Sequence, residues 1–128
     1  MEEVPQKKIL IVDDDSFLLD MYGLKFSQSG FKVEATLGPF LALDKLRGGL
    51  VPDLILSDVI MPDMDGFEFI SHVREEKLAP NAKIIVLSNV DQEQDLSRAT
   101  SLGVSLYIVK ASATPKQVVD QVSKFINN

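Results

Sequence analysis

Four carboxylates stand where two apolar runs end. Asp13, Asp14 and Asp15 follow Ile9-Leu10-Ile11-Val12, and Asp58 follows Leu54-Ile55-Leu56-Ser57. Two more apolar runs end in reactive groups: Ser88 follows Ile84-Ile85-Val86-Leu87, and Lys110 follows Leu106-Tyr107-Ile108-Val109. Carboxylates gathered at one place repel one another, by about 4 kcal/mol per pair at 4 Å and an effective dielectric near 20. A divalent cation relieves that repulsion. The candidate ligands are all oxygens, with no His or Cys among them, which favours Mg²⁺ over Zn²⁺. A hydroxyl and an ammonium converging on such a centre suit a phosphoryl group: Lys110 and the metal neutralise it, and Ser88 donates a hydrogen bond. A carboxylate is itself a competent nucleophile for phosphoryl transfer.

These residues meet only if the elements before them form one sheet. Continuous, β-branched-rich runs read as strands buried on both faces of a parallel sheet. The pattern predicts strands over 8–12, 31–35, 54–57, 84–87 and 106–109, alternating with helices over 16–29, 39–47, 66–76, 92–102 and 115–126. Helix 16–29 is expected to bury Phe17, Met21 and Leu24, with Gly30 as its terminating glycine. Helix 66–76 carries Phe67, Ile70 and Val73, and helix 115–126 carries Val119, Val122 and Ile126 behind a Thr114-Pro115 start. The segment 92–102 is thinly apolar, with Leu96, Ala99 and Leu102 at helical spacing and Gly103 as a stop.

Five such units specify an α/β fold: a parallel sheet covered on both faces and joined by right-handed crossovers. The pattern leaves two strand orders open, 2-1-3-4-5 and a Rossmann half. In the first, strands one and three flank the switch point, and Asp13 and Asp14 face Asp58 across the crevice. Acidic residues after strands are also common helix caps, and Asp14 or Asp15 suits that role ahead of residue 16. Asp58 does not, because Val59-Ile60-Met61-Pro62 intervenes before any helix.

Bulk properties narrow the field. The 128 residues fit one domain, 1–128 with a core over 7–127. A net charge of −6 argues against a nucleic-acid backbone or an anionic membrane as direct partner. Cysteine is absent, which removes disulfides and thiolate chemistry. No apolar run approaches the roughly 20 residues that span a bilayer, and the polar N-terminus lacks a signal segment. A soluble cytoplasmic domain, without membrane insertion, is the expectation.

The chain closely resembles the receiver domain of two-component response regulators from Lys7 to its C-terminus. The resemblance rests on Ile9 to Asp15, on Pro52 through Asp58 to Gly66, on Ile84 to Ser88 and on Tyr107-Ile108-Val109-Lys110. It implies the flavodoxin-like order 2-1-3-4-5 with five helices. It also implies that Asp58 accepts a phosphoryl group from a phosphohistidine. Asp13 and Asp14 are implied to hold Mg²⁺, completed by Asp58 and the backbone carbonyl of Ile60. Ser88 and Lys110 are implied to contact the phosphoryl oxygens, and Tyr107 to be the aromatic switch that follows Ser88.

On this reading the chain is a phosphorylation-controlled binding module rather than an enzyme with a separate substrate. Its implied partners are a sensor histidine kinase or histidine phosphotransfer protein, and a downstream protein meeting the face built from 92–126. Weak homodimerisation is a further option. The rival readings are an unphosphorylated scaffold or dimerisation module and an intermediate in a multistep phosphorelay.

Three positions depart from the commoner family pattern. Ala111-Ser112-Ala113 follows Lys110 where proline is usual, Asn89 follows Ser88 where a small residue is usual, and Ile60 and Val90 are apolar. Neither Ile60 nor Val90 can orient a hydrolytic water, which predicts a long-lived phosphoryl-aspartate. His72 reads as a surface or boundary residue. The segment Asp63-Met64-Asp65-Gly66 fails as a calcium loop, because His72 stands where the bidentate Glu belongs. A dehalogenase-type phosphatase needs a second acid two residues after its nucleophile, where this chain has Ile60.

Overall fold

The computed structural model describes residues 6–89 and 93–127. Strands β1 (Lys8–Asp13), β2 (Lys32–Leu37), β3 (Leu54–Ser57), β4 (Lys83–Ser88) and β5 (Leu106–Val109) alternate with helices α1 (Ser16–Gln28), α2 (Pro39–Arg47), α3 (Gly66–Glu75), α4 (Glu93–Ser101) and α5 (Pro115–Asn127). All five strands are parallel, in the order β2-β1-β3-β4-β5. This is the flavodoxin-like, doubly wound architecture, and it settles the strand order that pattern alone left open.

Side-chain alternation along the strands splits the core into two layers. Leu10, Val12, Ile55, Ile84 and Val86 face one layer with Leu43, Phe67, Ile70 and Val73 from α2 and α3. Ile9, Ile11, Leu54, Leu56 and Ile85 face the other with Leu19, Phe26, Val118 and Val122 from α1 and α5. The parallel strands are therefore buried on both faces, as their unbroken apolar sequences require.

The element ends follow local chemistry. The Asp15 carboxylate caps α1 by accepting from the amides of Phe17 and Leu18, and Gly30 has φ of 96° just beyond the helix. Thr114 and Gln117 exchange side-chain-to-backbone bonds at the start of α5, a capping box. Strand β2 begins one residue later than predicted and runs to Leu37, because Phe31 packs edge-on against Phe26 before the ladder starts. Lys110–Ser112 forms a single 3₁₀ turn where the family pattern has its proline.

The predicted inner face of α1 is corrected. Phe17 is 74% and Leu24 59% exposed, while Leu19, Tyr22 and Phe26 are buried. The helix carries apolar residues on two faces, so periodicity could not choose between them. The expected helix over 92–102 is present as α4 from Glu93, and Gln92 lies outside the described residues.

Candidate functional site at the C-terminal edge of the sheet

Strands β1 and β3 are hydrogen-bonded neighbours, with Val12 in register with Ser57. Their next residues, Asp13 and Asp58, therefore emerge side by side at the switch point, where open α/β sheets place ligands. Asp13 is nearly fully buried, Asp58 half-buried and Asp14 exposed. One carboxylate oxygen from each of the three lies within 4.8 Å of the others. Lys110 arrives from the end of β5 and places Nζ 3.2 Å from Asp13 Oδ2 and 3.3 Å from Asp58 Oδ2. Three carboxylates against one ammonium leave the centre electronegative.

Local bonds fix these groups. The Val59 amide donates to Asp58 Oδ1 at 2.7 Å, and the Asp15 amide donates to Asp13 Oδ1 at 3.0 Å. Burial pushes the Asp58 carboxyl above its ordinary range and Asp13 adds to that, while Lys110 and the Val59 amide oppose it. Burial alone would lower the Lys110 ammonium, but Asp58 and Asp13 outweigh it and hold the lysine above its usual value. Lys110 is accordingly a fixed positive charge between two carboxylates.

A pocket of about 620 Å³ opens onto these residues, lined also by Asp15, Ile60 and Asn89. Its donor set, clustered carboxylate oxygens and no nitrogen or sulfur ligand, fits a hard divalent cation such as Mg²⁺. Asp15, which shares the acidic run, is spent on capping α1. Asn89 is exposed on the pocket wall, and Ile60 is 61% exposed there. Val90 lies outside the described residues.

Ser88 and Tyr107 occupy the same face of the sheet. Ser88 ends β4 fully buried, two residues beyond Val86, and Tyr107 on β5 is in register with Val86. The structure brings Asp13, Asp14, Asp58, Ile60 and Lys110 together around the pocket, while Ser88 is buried and does not line it. Tyr107 is partly buried against the layer that contains Ala99 of α4. His72 sits at the boundary of α3, 3.7 Å from Glu76 and away from the site.

One positioning residue was not singled out from sequence. Gly66 opens α3, and its amide donates to Val59 O at 2.7 Å. A Cβ there would lie 2.1 Å from the carbonyl oxygen of Asp58 and 2.9 Å from Val59 Cα. The available signal was a glycine at the first turn of a helix, where alanine would be the better helix former.

An acidic switch-point pocket with a lysine clamp, on a 2-1-3-4-5 sheet, defines a receiver-type signalling module. The family model for the response regulator receiver domain matches residues 9–123, and the chain belongs to that family. It is 37% identical over 120 residues to a chemotaxis protein CheY of Thermotoga maritima, covering 92% of this chain and 96% of that one. It is 28% identical to the response regulator SaeR of Staphylococcus aureus, covering 92% of this chain and 50% of SaeR. Among solved structures, a CheY-like receiver domain protein from Methanospirillum hungatei superposes with a TM-score of 0.86 at 25% identity, over 96% of this chain and 95% of that one. Chemotaxis protein CheY4 of Vibrio cholerae gives 0.85 at 27%, over 94% and 98%. Receiver domains are signalling modules of two-component systems that bind Mg²⁺ at an acidic pocket. Among the described residues no helix is long and apolar enough to cross a membrane.

Proposed function

We propose that this chain is a phosphoacceptor in a two-component relay, with Asp58 receiving the phosphoryl group from a histidine kinase or histidine phosphotransfer protein. The observation that carries the reading is the position of Lys110 Nζ, within 3.3 Å of both the Asp13 and the Asp58 carboxylates. An Asp58 oxygen attacks phosphorus as the bond to the donor's imidazole nitrogen breaks. The electron pair of that bond leaves on the imidazole, which departs neutral when its other nitrogen carries the proton. Lys110 then exchanges part of its contact with the carboxylates for the new phosphoryl oxygens. Asp13, Asp14, Asp58 and the Ile60 carbonyl would hold Mg²⁺, which supplies charge neutralisation and orientation for the transfer.

Ser88 donates its hydroxyl to a phosphoryl oxygen, and Tyr107, on the same face, follows it inward. The altered surface is the one formed by α4, β5 and α5, beside the edge strand β5. Ile60, exposed on the pocket wall, offers the phosphodonor an apolar contact. The chain acts as a single domain in the cytoplasm and has no separate substrate.

The test is incubation with a small-molecule phosphodonor and Mg²⁺, followed by intact mass. One phosphoryl addition in the parent and none in Asp58→Asn is expected. Absence of an Asp58-dependent addition would overturn the reading in favour of a scaffold. The decay of the adduct tests the apolar exit: Ile60→Asn should shorten its lifetime, and rapid decay in the parent would remove the expectation of a persistent signal.

A further inference from the structure

Helix α4 is held to the protein in an unusual way. Ala99 is its one buried side chain among the described residues, and Leu96 is 40% exposed. Among the described residues, two guanidinium groups join α4 and the turn after it to α3 or its cap. At the C-terminal end, Arg74 of α3 donates Nε to Leu102 O at 3.1 Å and Nη2 to Gly103 O at 3.0 Å. Gly103 has φ of 76°, and a Cβ there would lie 3.2 Å from Arg74 Nη2, so the approach needs glycine. About one turn earlier, still within the last turn of α4, Arg98 reaches across to α3. Its guanidinium lies 4.8 Å from the centre of the Phe67 ring and 3.9 Å from Asp65 Oδ2.

The two attachments differ in kind. Arg74 makes two directed hydrogen bonds to backbone carbonyls, which salt screens little. Arg98 makes a half-exposed ion pair and a cation–π contact, each weak and the first screened by salt. The Arg98 attachment also ends on residues tied to the candidate phosphoacceptor. Asp65 caps α3 through the Glu68 amide at 2.8 Å, and the next residue, Gly66, is pressed against the Asp58 carbonyl. Any displacement of the loop after Asp58 therefore reaches Asp65 and Phe67 within one helical turn.

We propose that Arg98 is a latch that reports the state of the loop after Asp58 to α4, and that Arg74 is the fixed end about which α4 turns. This rests on the phosphoacceptor reading above for its trigger, and on the Asp65–Arg98–Phe67 geometry for its action. When the loop shifts, Asp65 and the Phe67 ring move relative to Arg98, the weak attachment releases, and α4 turns about the Leu102 and Gly103 carbonyls that stay bound to Arg74. The route runs through α3, by way of Asp65 and Phe67.

The full chain lacks cysteine, so introduced pairs of cysteines label cleanly. A spin label at Glu68→Cys on α3 is paired with one at Gln94→Cys near the start of α4, or at Ser101→Cys at its end. In the parent background, a small-molecule phosphodonor with Mg²⁺ should shift the 68–94 distance and leave the 68–101 distance unchanged. In Arg98→Gln, the displaced 68–94 population should rise about tenfold without any donor, the combined size of an exposed ion pair and a cation–π contact. Arg98→Lys, which keeps the charge, should restore part of the resting distribution. Distance distributions in Arg98→Gln identical to those of the parent, with and without donor, would overturn the latch. A 68–101 distance that moves as far as 68–94 would overturn the fixed end. Failure of the parent to gain a phosphoryl group in the same sample would instead overturn the Asp58 reading, and the donor-free comparison would still decide the latch.

Discussion

Helices α3 and α4 follow successive strands and lie on the same side of the sheet, yet they are secured by different physics. α3 buries Gly66, Phe67, Phe69, Ile70 and Val73. Among the described residues α4 buries Ala99 alone, and Arg74 and Arg98 join it and the turn after it to α3. Apolar packing is short-ranged and costly to disturb, because displaced side chains leave cavities. Polar clamps on a half-exposed helix can be released at a cost of about 1–2 kcal/mol, which a local event at the site can supply. The protein thus joins the candidate phosphoacceptor to a helix that stays and sets beside it a helix that can move.

The largest expected effect lies in the helix that stays. Phe69→Ala, at a fully buried ring, should lower stability by about 3–5 kcal/mol in a urea titration. A loss below about 1 kcal/mol would mean that α3 is no better packed than α4, and the contrast would fail. Gly66→Ala comes next, at about 1–3 kcal/mol for forced overpacking. Its diagnostic is a second readout: the Asp58 carbonyl must give way, so phosphoryl uptake should fall more than stability does. Equal loss of both would make Gly66 an ordinary helix-start residue.

Arg74→Ala should cost about 1–2 kcal/mol, the size of two hydrogen bonds to exposed-end carbonyls, and the loss should be the same in low and high salt. Salt-dependent loss would place Arg74 in the same class as Arg98 and remove the distinction between the fixed and the releasable attachment of α4.

Asp58→Asn carries the opposite sign. Burial raises the native Asp58 carboxyl above its unfolded value, so the folded protein binds this proton more tightly than the unfolded chain. Stability therefore falls as pH climbs from the ordinary carboxylate range through the raised native value. The asparagine variant should be more stable than the parent at neutral pH without Mg²⁺. Its advantage should fade below about pH 4, where the unfolded carboxyl is also protonated. Lys110 loses one partner in the variant but keeps Asp13 at 3.2 Å, which limits the offset. An advantage that persisted in acid would show that charge burial is not its source.

Much of this contrast was legible in the residues, and the rest was hidden for definable reasons. Phe67, Ile70 and Val73 announced the inner face of α3, and Leu96, Ala99 and Leu102 announced how little α4 buries. The strand ends gave Asp13, Asp58, Ser88 and Lys110, because a parallel sheet delivers every strand exit to one edge. The expected α1 face is inward only at Met21, while Phe17 and Leu24 point out, because these and the buried Leu19, Tyr22 and Phe26 are both apolar stripes and the sheet chooses between them. Gly66 left only the mark of a glycine at a helix start, and Arg74 and Arg98 left no pattern at all. Their roles are contacts across 28 to 33 residues or with a neighbouring backbone, and spacing along one element does not encode them.

The smallest effect is the sharpest test of what α4 is for. Leu96 is 40% exposed on a helix with a single buried side chain among the described residues, so Leu96→Ala should change stability by no more than about 0.5 kcal/mol. A leucine that contributes so little to folding is still an apolar surface beside the edge strand, on the face assigned to output. If its truncation leaves the urea midpoint in place, its apolar area is available to a partner. If it costs as much as Phe69→Ala, Leu96 is packed inside the fold, α4 is anchored as α3 is, and neither the latch nor a movable output face survives.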